Sequence, residues 1–149
     1  MSVLHDPLLE RLLAKLHEES DAQTQAISEH YDRAADRPSE DQAGRTKASL
    51  SDKLYALDRD KAEFCYQLCG AIDAQRIVEI GTSHGVSTLY LAAAVRDNVR
   101  VDGGGGVVIG TEYEPEKARA ARSHFERGGL SNFIDLRDTL RSIDGPVAS

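Results

Sequence analysis

The chain has 149 residues, 40% hydrophobic and 29% charged, a composition that supports one hydrophobic core and argues against wholesale disorder. Lys plus Arg number 18 against 25 Asp plus Glu, and a net charge of −7 repels phosphate backbones and anionic lipid, so neither nucleic acid nor membrane is an expected partner. No stretch approaches the ~18 apolar residues of a membrane span, and no basic-then-apolar leader opens the chain, so a soluble cytoplasmic domain is expected.

Asp6-Pro7 predicts a helix start, with an N-cap carboxylate and a proline at the first helical position. Leu9, Leu12, Leu13 and Leu16 then recur at helical spacing, a stripe open to either dimerisation or cover of a sheet. The helix can continue as a polar one to about Tyr31. Residues 32–52, with Pro38 and Gly44 and no periodicity, read as an exposed linker, so residues 1–50 form an N-terminal helical segment and linker. A second helix starts at Asp58, with Phe64, Leu68 and Ile72 inward and Cys65 and Cys69 beside them as small core residues.

From Arg76 the pattern changes to alternating strand and helix. Arg76–Ile80 is a short β-branched run stopped by Gly81. A helix follows from Val86 to about Asp97-Asn98, then the glycines 103–106 as a flexible connector, then strand Val107–Thr111. Pro115 opens another helix with Ala118, Ala121 and Phe125 inward, stopped by Gly128-Gly129, and Phe133–Leu136 is a third strand. Two successive βαβ units with right-handed crossovers make residues 51–149 part of a doubly wound α/β domain.

Gly81-Thr82-Ser83-His84-Gly85 joins a strand to a helix N-terminus at the carboxyl end of the sheet, where open α/β folds take their ligands. Glu79 precedes this turn and Glu112 closes the second strand. A carboxylate at that strand end can accept both hydroxyls of a ribose. Ser83 stands where a dinucleotide fingerprint needs its second glycine, and no Gly-Lys-Ser/Thr is present for a P-loop. Glu79 would repel pyrophosphate and suits a cationic ligand, so S-adenosylmethionine fits: adenosine at Glu112, the methionine end at the turn. The bland alternatives stand beside these. Glu79 could be a salt-bridged strand end, Ser87 a helix-start hydroxyl and Tyr113 a surface aromatic, and His84 reads as a hydrogen-bonding loop residue. The histidines show no ligand spacing, so no metal is expected.

Val78-Glu79-Ile80-Gly81-Thr82-Ser83-His84-Gly85-Val86-Ser87-Thr88, followed by Gly110-Thr111-Glu112-Tyr113-Glu114-Pro115, resembles class I S-adenosylmethionine-dependent methyltransferases. The nearest resemblance is to bacterial O-methyltransferases of the catechol and caffeoyl-CoA type, over roughly residues 50–137, with Lys53–Asp58 resembling their leader segment. It implies a Rossmann-like parallel sheet with helices on both faces, here incomplete at about three strands and preceded by N-terminal helices. It also implies transfer of a methyl group to a small-molecule hydroxyl. Gly81, Ser83 and Gly85 would lie along the methionine portion, Ser87 would bind its carboxylate, and Glu79 would sit near its ammonium. Glu112 would hold the ribose and Tyr113 the adenine ring. Arg137-Asp138-Thr139 is shorter than the family's Gly-Asp-Ala, leaving Asp138 as the candidate for the adenine amino group. The family's acceptor and metal residues lie beyond the resembling positions. Two readings stay open: the N-terminal part of an O-methyltransferase, or a truncated, non-catalytic cofactor-binding module that needs a partner. The third strand is expected at an exposed edge, and association through that edge or the first helix would complete the fold.

Overall fold

In the computed structural model, which describes residues 3–34, 54 and 56–138, helix α1 spans Pro7–Ala34. Asp6 starts it as the sequence requires, Oδ1 accepting the Leu9 N–H at 3.1 Å. The leucine stripe is spent inside the chain: Leu9, Leu13 and Leu16 are fully buried in one cluster with Leu89, Tyr90 and Leu130. Burial of each such side chain stabilises by roughly 1.5–3 kcal/mol relative to exposure. The polar second half of α1 also has work to do. Gln23 Oε1 accepts the Leu54 N–H at 2.7 Å and Ser20 Oγ accepts the Ala56 N–H at 2.9 Å, which anchors the approach to the next helix. Most of the expected linker, and Lys53 and Tyr55 of the leader segment, lie outside the described residues.

Helix α2 (Arg59–Ala71) is rotated from the expected orientation. Phe64, Leu68 and Ile72 are exposed by 64%, 47% and 66%, while Ala62 is buried. The cause is polar. Helix α3 (Val86–Asp102) presents Asp97 and Asn98 to α2. Tyr66 Oη donates to Asp97 Oδ2 at 2.9 Å, and Asn98 Nδ2 donates to the carbonyls of Cys69 at 3.1 Å and Ala74 at 2.9 Å. Satisfying those groups turns the small face of α2 inward, because a buried polar group left unpaired costs about 1–3 kcal/mol. Arg96 completes the clamp, pairing with Asp97 and, at 2.7 Å, with Asp6 at the head of α1. Burial alone would raise the Asp6 pKa, but the Leu9 N–H and the Arg96 guanidinium together hold it below the ordinary 3.8.

Helix α3 runs past the expected stop to Asp102 because Val95 and Val99 continue its buried stripe and Gly103, at φ 69°, provides the left-handed C-cap. Two glycines of the run after it, Gly103 and Gly106, are correspondingly specific. A Cβ at Gly106 would lie 2.8 Å from a Val99 methyl and 3.0 Å from the Gln75 carbonyl.

The strands β1 (Arg76–Ile80), β2 (Val107–Thr111) and β3 (Ile134–Arg137) form a parallel sheet in the order β1-β2-β3. Phe133 falls in a short 3₁₀ turn ahead of β3. Register aligns Ile77 with Val108 and Ile134, and Glu79 with Gly110 and Leu136, so these six share a face. Helix α3 packs on β1 and β2, helix α4 (Pro115–Arg127) packs on β3, and the two helices touch. Ala118, Ala121 and Phe125 of α4 are buried as expected. On the opposite face of β1, Val78 and Ile80 are exposed by 50% and 75%, so the two-sided helical cover implied by the resemblance is, among the described residues, seen on one side. Both β1 and β3 are edges among those residues, and the exposed apolar one is β1.

His17 Nε2 lies 3.1 Å from Tyr90 Oη in the α1–α3 interface. Burial, reinforced by Arg59, lowers the His17 pKa against the opposing pull of Asp21, Glu63 and Asp58, and burial pushes the Tyr90 phenol up to about 12. The unfolded chain therefore takes a proton on His17 near 6.5, where the folded chain still resists it. That stability is complete above 6.5 and is lost as pH falls from there toward the lowered folded value. Chemical denaturation at about pH 7.5 and about pH 5.5 should show a larger drop for the wild type than for His17→Asn. Equal drops would contradict the assignment.

Candidate functional site

The ends of β1 and β2 are joined through one carbonyl. Thr111 O accepts the N–H of Gly81 at 3.1 Å and of Thr82 at 2.8 Å, and Thr111 Oγ1 lies 3.3 Å from the Gly81 nitrogen. The chain then turns through three left-handed residues, Gly81 (φ 86°), Ser83 (φ 52°) and Gly85 (φ 82°). The two glycines serve different ends. A Cβ on Gly81 would meet nothing within 4 Å, so glycine is needed there for conformation and the space above it is open. A Cβ on Gly85 would overlap the Phe125 ring, so glycine there lets α3 seat against α4.

Glu79 faces α3, on the same side of β1 as Ile77. Its Oε1 accepts the Ser87 hydroxyl at 2.6 Å, and its Oε2 accepts the hydroxyls of Thr82 at 3.0 Å and of Thr88. Thr82 and Thr88 are buried and were not singled out from the sequence. The signal was available: a carboxylate on the helix-facing side of a strand needs donors from the turn and helix above it. Gly110 belongs to the same arrangement, because a Cβ there would overlap Thr82 Oγ1.

Glu112 is only 7% exposed. Its Oε2 accepts the Ser83 N–H at 2.8 Å and its Oε1 accepts the Glu114 N–H at 2.9 Å, while its own N–H donates to the Arg137 carbonyl at 3.0 Å. One carboxylate thus spans the turn after β1 and the exit of β2. The hydrogen bond to Ser83 offsets a left-handed conformation that costs roughly 1–2 kcal/mol in a residue with a Cβ.

Beside Glu112 lies a cavity of about 260 Å³ lined by Ile80, Gly81, Thr111, Glu112 and Tyr113. Tyr113 is 71% exposed and forms an aromatic wall. The structure therefore brings Gly81, Glu112 and Tyr113 to one cavity. Ser83, Gly85 and Ser87 belong to the adjoining turn and helix start, and Glu79, in β1, is hydrogen-bonded to them through Ser87 and to the turn through Thr82. Helix α3 begins on Gly85 without a side-chain cap. Asp138 pairs with Arg122 at 2.7 Å on an exposed surface. His84 carries Ser83 Oγ at 3.2 Å from its Nδ1, and its carbonyl accepts from His124 Nδ1 at 2.8 Å. Burial first, then the charges of Lys117 and His124, lower the His84 pKa, so its ring is a neutral loop anchor. Among the described residues no group of three or more His, Cys, Asp or Glu could hold a metal, and no helix is long and apolar enough to cross a membrane.

Residues 78–145 match the family model of a methyltransferase domain. The catechol O-methyltransferase of Mycobacterium tuberculosis is 35% identical over 95 residues, which is 60% of this chain and 40% of that protein. The catechol O-methyltransferase of Niastella koreensis is 32% identical over 85 residues, covering 57% of this chain and 35% of that protein. Among solved structures, the O-methyltransferase of Bacillus cereus in complex with SAH superposes with a TM-score of 0.51 at 25% identity, over 71% of this chain and 47% of that one. The chain thus spans less than half the length of these relatives. It is similar to part of S-adenosylmethionine-dependent O-methyltransferases and carries three parallel strands of a Rossmann-like fold.

Gly85→Ala tests the packing of the turn on α4. Overpacking and a disfavoured backbone together predict a loss of about 2–5 kcal/mol in chemical denaturation. Adding Phe125→Leu should recover the steric part only, and a neutral Gly85→Ala would contradict the geometry.

Proposed function

We propose that this chain is the S-adenosylmethionine-holding part of an O-methyltransferase that acts on a small-molecule hydroxyl. The observation that carries the reading is Glu112, a buried carboxylate fixed by two backbone N–H groups at the mouth of a cavity with an aromatic wall. Each carboxylate oxygen has a second lone pair, so Glu112 can accept ribose hydroxyls without releasing the backbone. The cavity beside it, with Ile80 and Tyr113 as apolar walls, suits a purine. The open space above Gly81 leaves room for the chain leading to the methionine end. The start of α3, without a side-chain cap, suits a carboxylate, since a helix N-terminus favours negative charge.

Bound S-adenosylmethionine would supply an electrophilic methyl group on a sulfonium. The residues here bind and orient that donor, and positioning is a major part of such a reaction. The names of the curated relatives, both catechol O-methyltransferases, support a small phenolic acceptor.

Calorimetric titration of the chain with S-adenosylhomocysteine should show saturable binding, weakened about 10–100-fold in Glu112→Ala, the loss of hydrogen bonds to a charged group. Tyr113→Ala should cost several-fold, as loss of stacking on a base does. Absence of binding by the folded wild type would overturn the proposal, and unchanged affinity in Glu112→Ala would remove the ribose assignment. Transfer of a labelled methyl group onto small phenols tests the acceptor class.

A further inference from the structure

We infer that the crevice between α1 and α2 is a binding site separate from the one beside Glu112, and that it takes a monocarboxylate with an apolar body. The crevice has a volume of about 390 Å³, larger than the cavity beside Glu112. Part of its lining is buried and apolar, formed by Leu4, Leu13 and the ring of Tyr90. Arg11 of α1 and Arg59 of α2 also line it, and among the described residues neither guanidinium has an ion pair or a hydrogen bond. A guanidinium presents paired N–H donors that match a carboxylate. Two of them beside an apolar lining therefore suit an acid carried on a ring or an alkyl chain. Glu10 and Glu63 share the crevice and limit the charge it accepts. Two guanidiniums against two carboxylates leave no net positive charge for a multiply charged anion, which sets this ligand class apart from phosphates.

The crevice is also coupled to a buried titratable pair. Tyr90, in its lining, is hydrogen-bonded with His17 at 3.1 Å. The charged groups acting on His17 are Arg59, Glu63 and Asp58 at α2 and Asp21 on α1, with Tyr90 facing it from α3. After burial, the charge of Arg59 is the largest influence against protonating the imidazole. An anion held by Arg59 offsets that charge, so ligand binding and protonation of His17 favour each other.

The test titrates the full chain with benzoate, followed by isotope-edited NMR at neutral pH. Saturable shifts are expected in the amides of residues 10–14 and 59–63, with those of 81–88 and 112–114 unmoved. Arg11 and Arg59 are exposed, so their substitution leaves the core intact. Arg59→Gln and Arg11→Gln should each weaken binding about tenfold, the loss of a hydrogen bond between charged groups. Glu63→Gln should tighten it, because a competing carboxylate is gone. Benzamide, the uncharged counterpart, should bind at least about tenfold more weakly, and inorganic phosphate should not displace benzoate. The His17 imidazole should titrate at higher pH with benzoate bound than without it. Equal affinity for benzamide, displacement by phosphate, or shifts centred on residues 81–88 would overturn the inference. So would an unresponsive His17, or no saturable shift in a folded chain.

Discussion

The site depends on how the end of β1 is tied to the end of β2. Parallel strands bring their carboxyl ends together, but the chain leaves β1 through residues with few backbone partners of their own. The Thr111 carbonyl supplies the first tie by accepting from Gly81 and Thr82. The second is Glu112, which reaches back to the Ser83 N–H. Without these, a turn with three left-handed residues in five would have no fixed shape. With them, an open glycine and a buried carboxylate line one cavity, and a helix N-terminus adjoins the turn.

Much of this was legible in the sequence. The β-branched runs at 76–80 and 107–111, each with a Gly- or Pro-marked helix after it, fixed the order of strands and helices. Leu9, Leu13 and Leu16 were identifiable as a buried stripe from spacing alone. The face of α2 was not. Phe64, Leu68 and Ile72 satisfy helical periodicity, yet Tyr66, Asp97 and Asn98 set the orientation by hydrogen bonding, a tertiary demand invisible to a hydropathy pattern. Gly103 and Gly106, within the run 103–106, depart from a flexible connector for a related reason. Composition suggests looseness, whereas Gly103 caps a helix and Gly106 fits under Val99.

Within the site, sequence spacing found the two carboxylates but not their partners. Glu112 carries two backbone donors, and Glu79 carries three side-chain hydroxyls. Thr82 and Thr88 look like ordinary turn and helix residues until the strand's side-chain alternation aims Glu79 at them. Among the exposed apolar residues are Phe64 and Leu68 on the outer side of α2 and Val78 and Ile80 on the far face of β1. The relatives that match this chain are more than twice its matched length.

The central claim, that the turn and the Glu112 carboxylate form one nucleoside site, is tested most directly by isotope-edited NMR during titration with S-adenosylhomocysteine. The account predicts saturable shifts of the amides of residues 81–88 and 112–114, with α1 and the outer face of α2 unaffected. Shifts centred instead on the α1–α2 crevice near Arg11 and Arg59, or none at all in a folded chain, would contradict it.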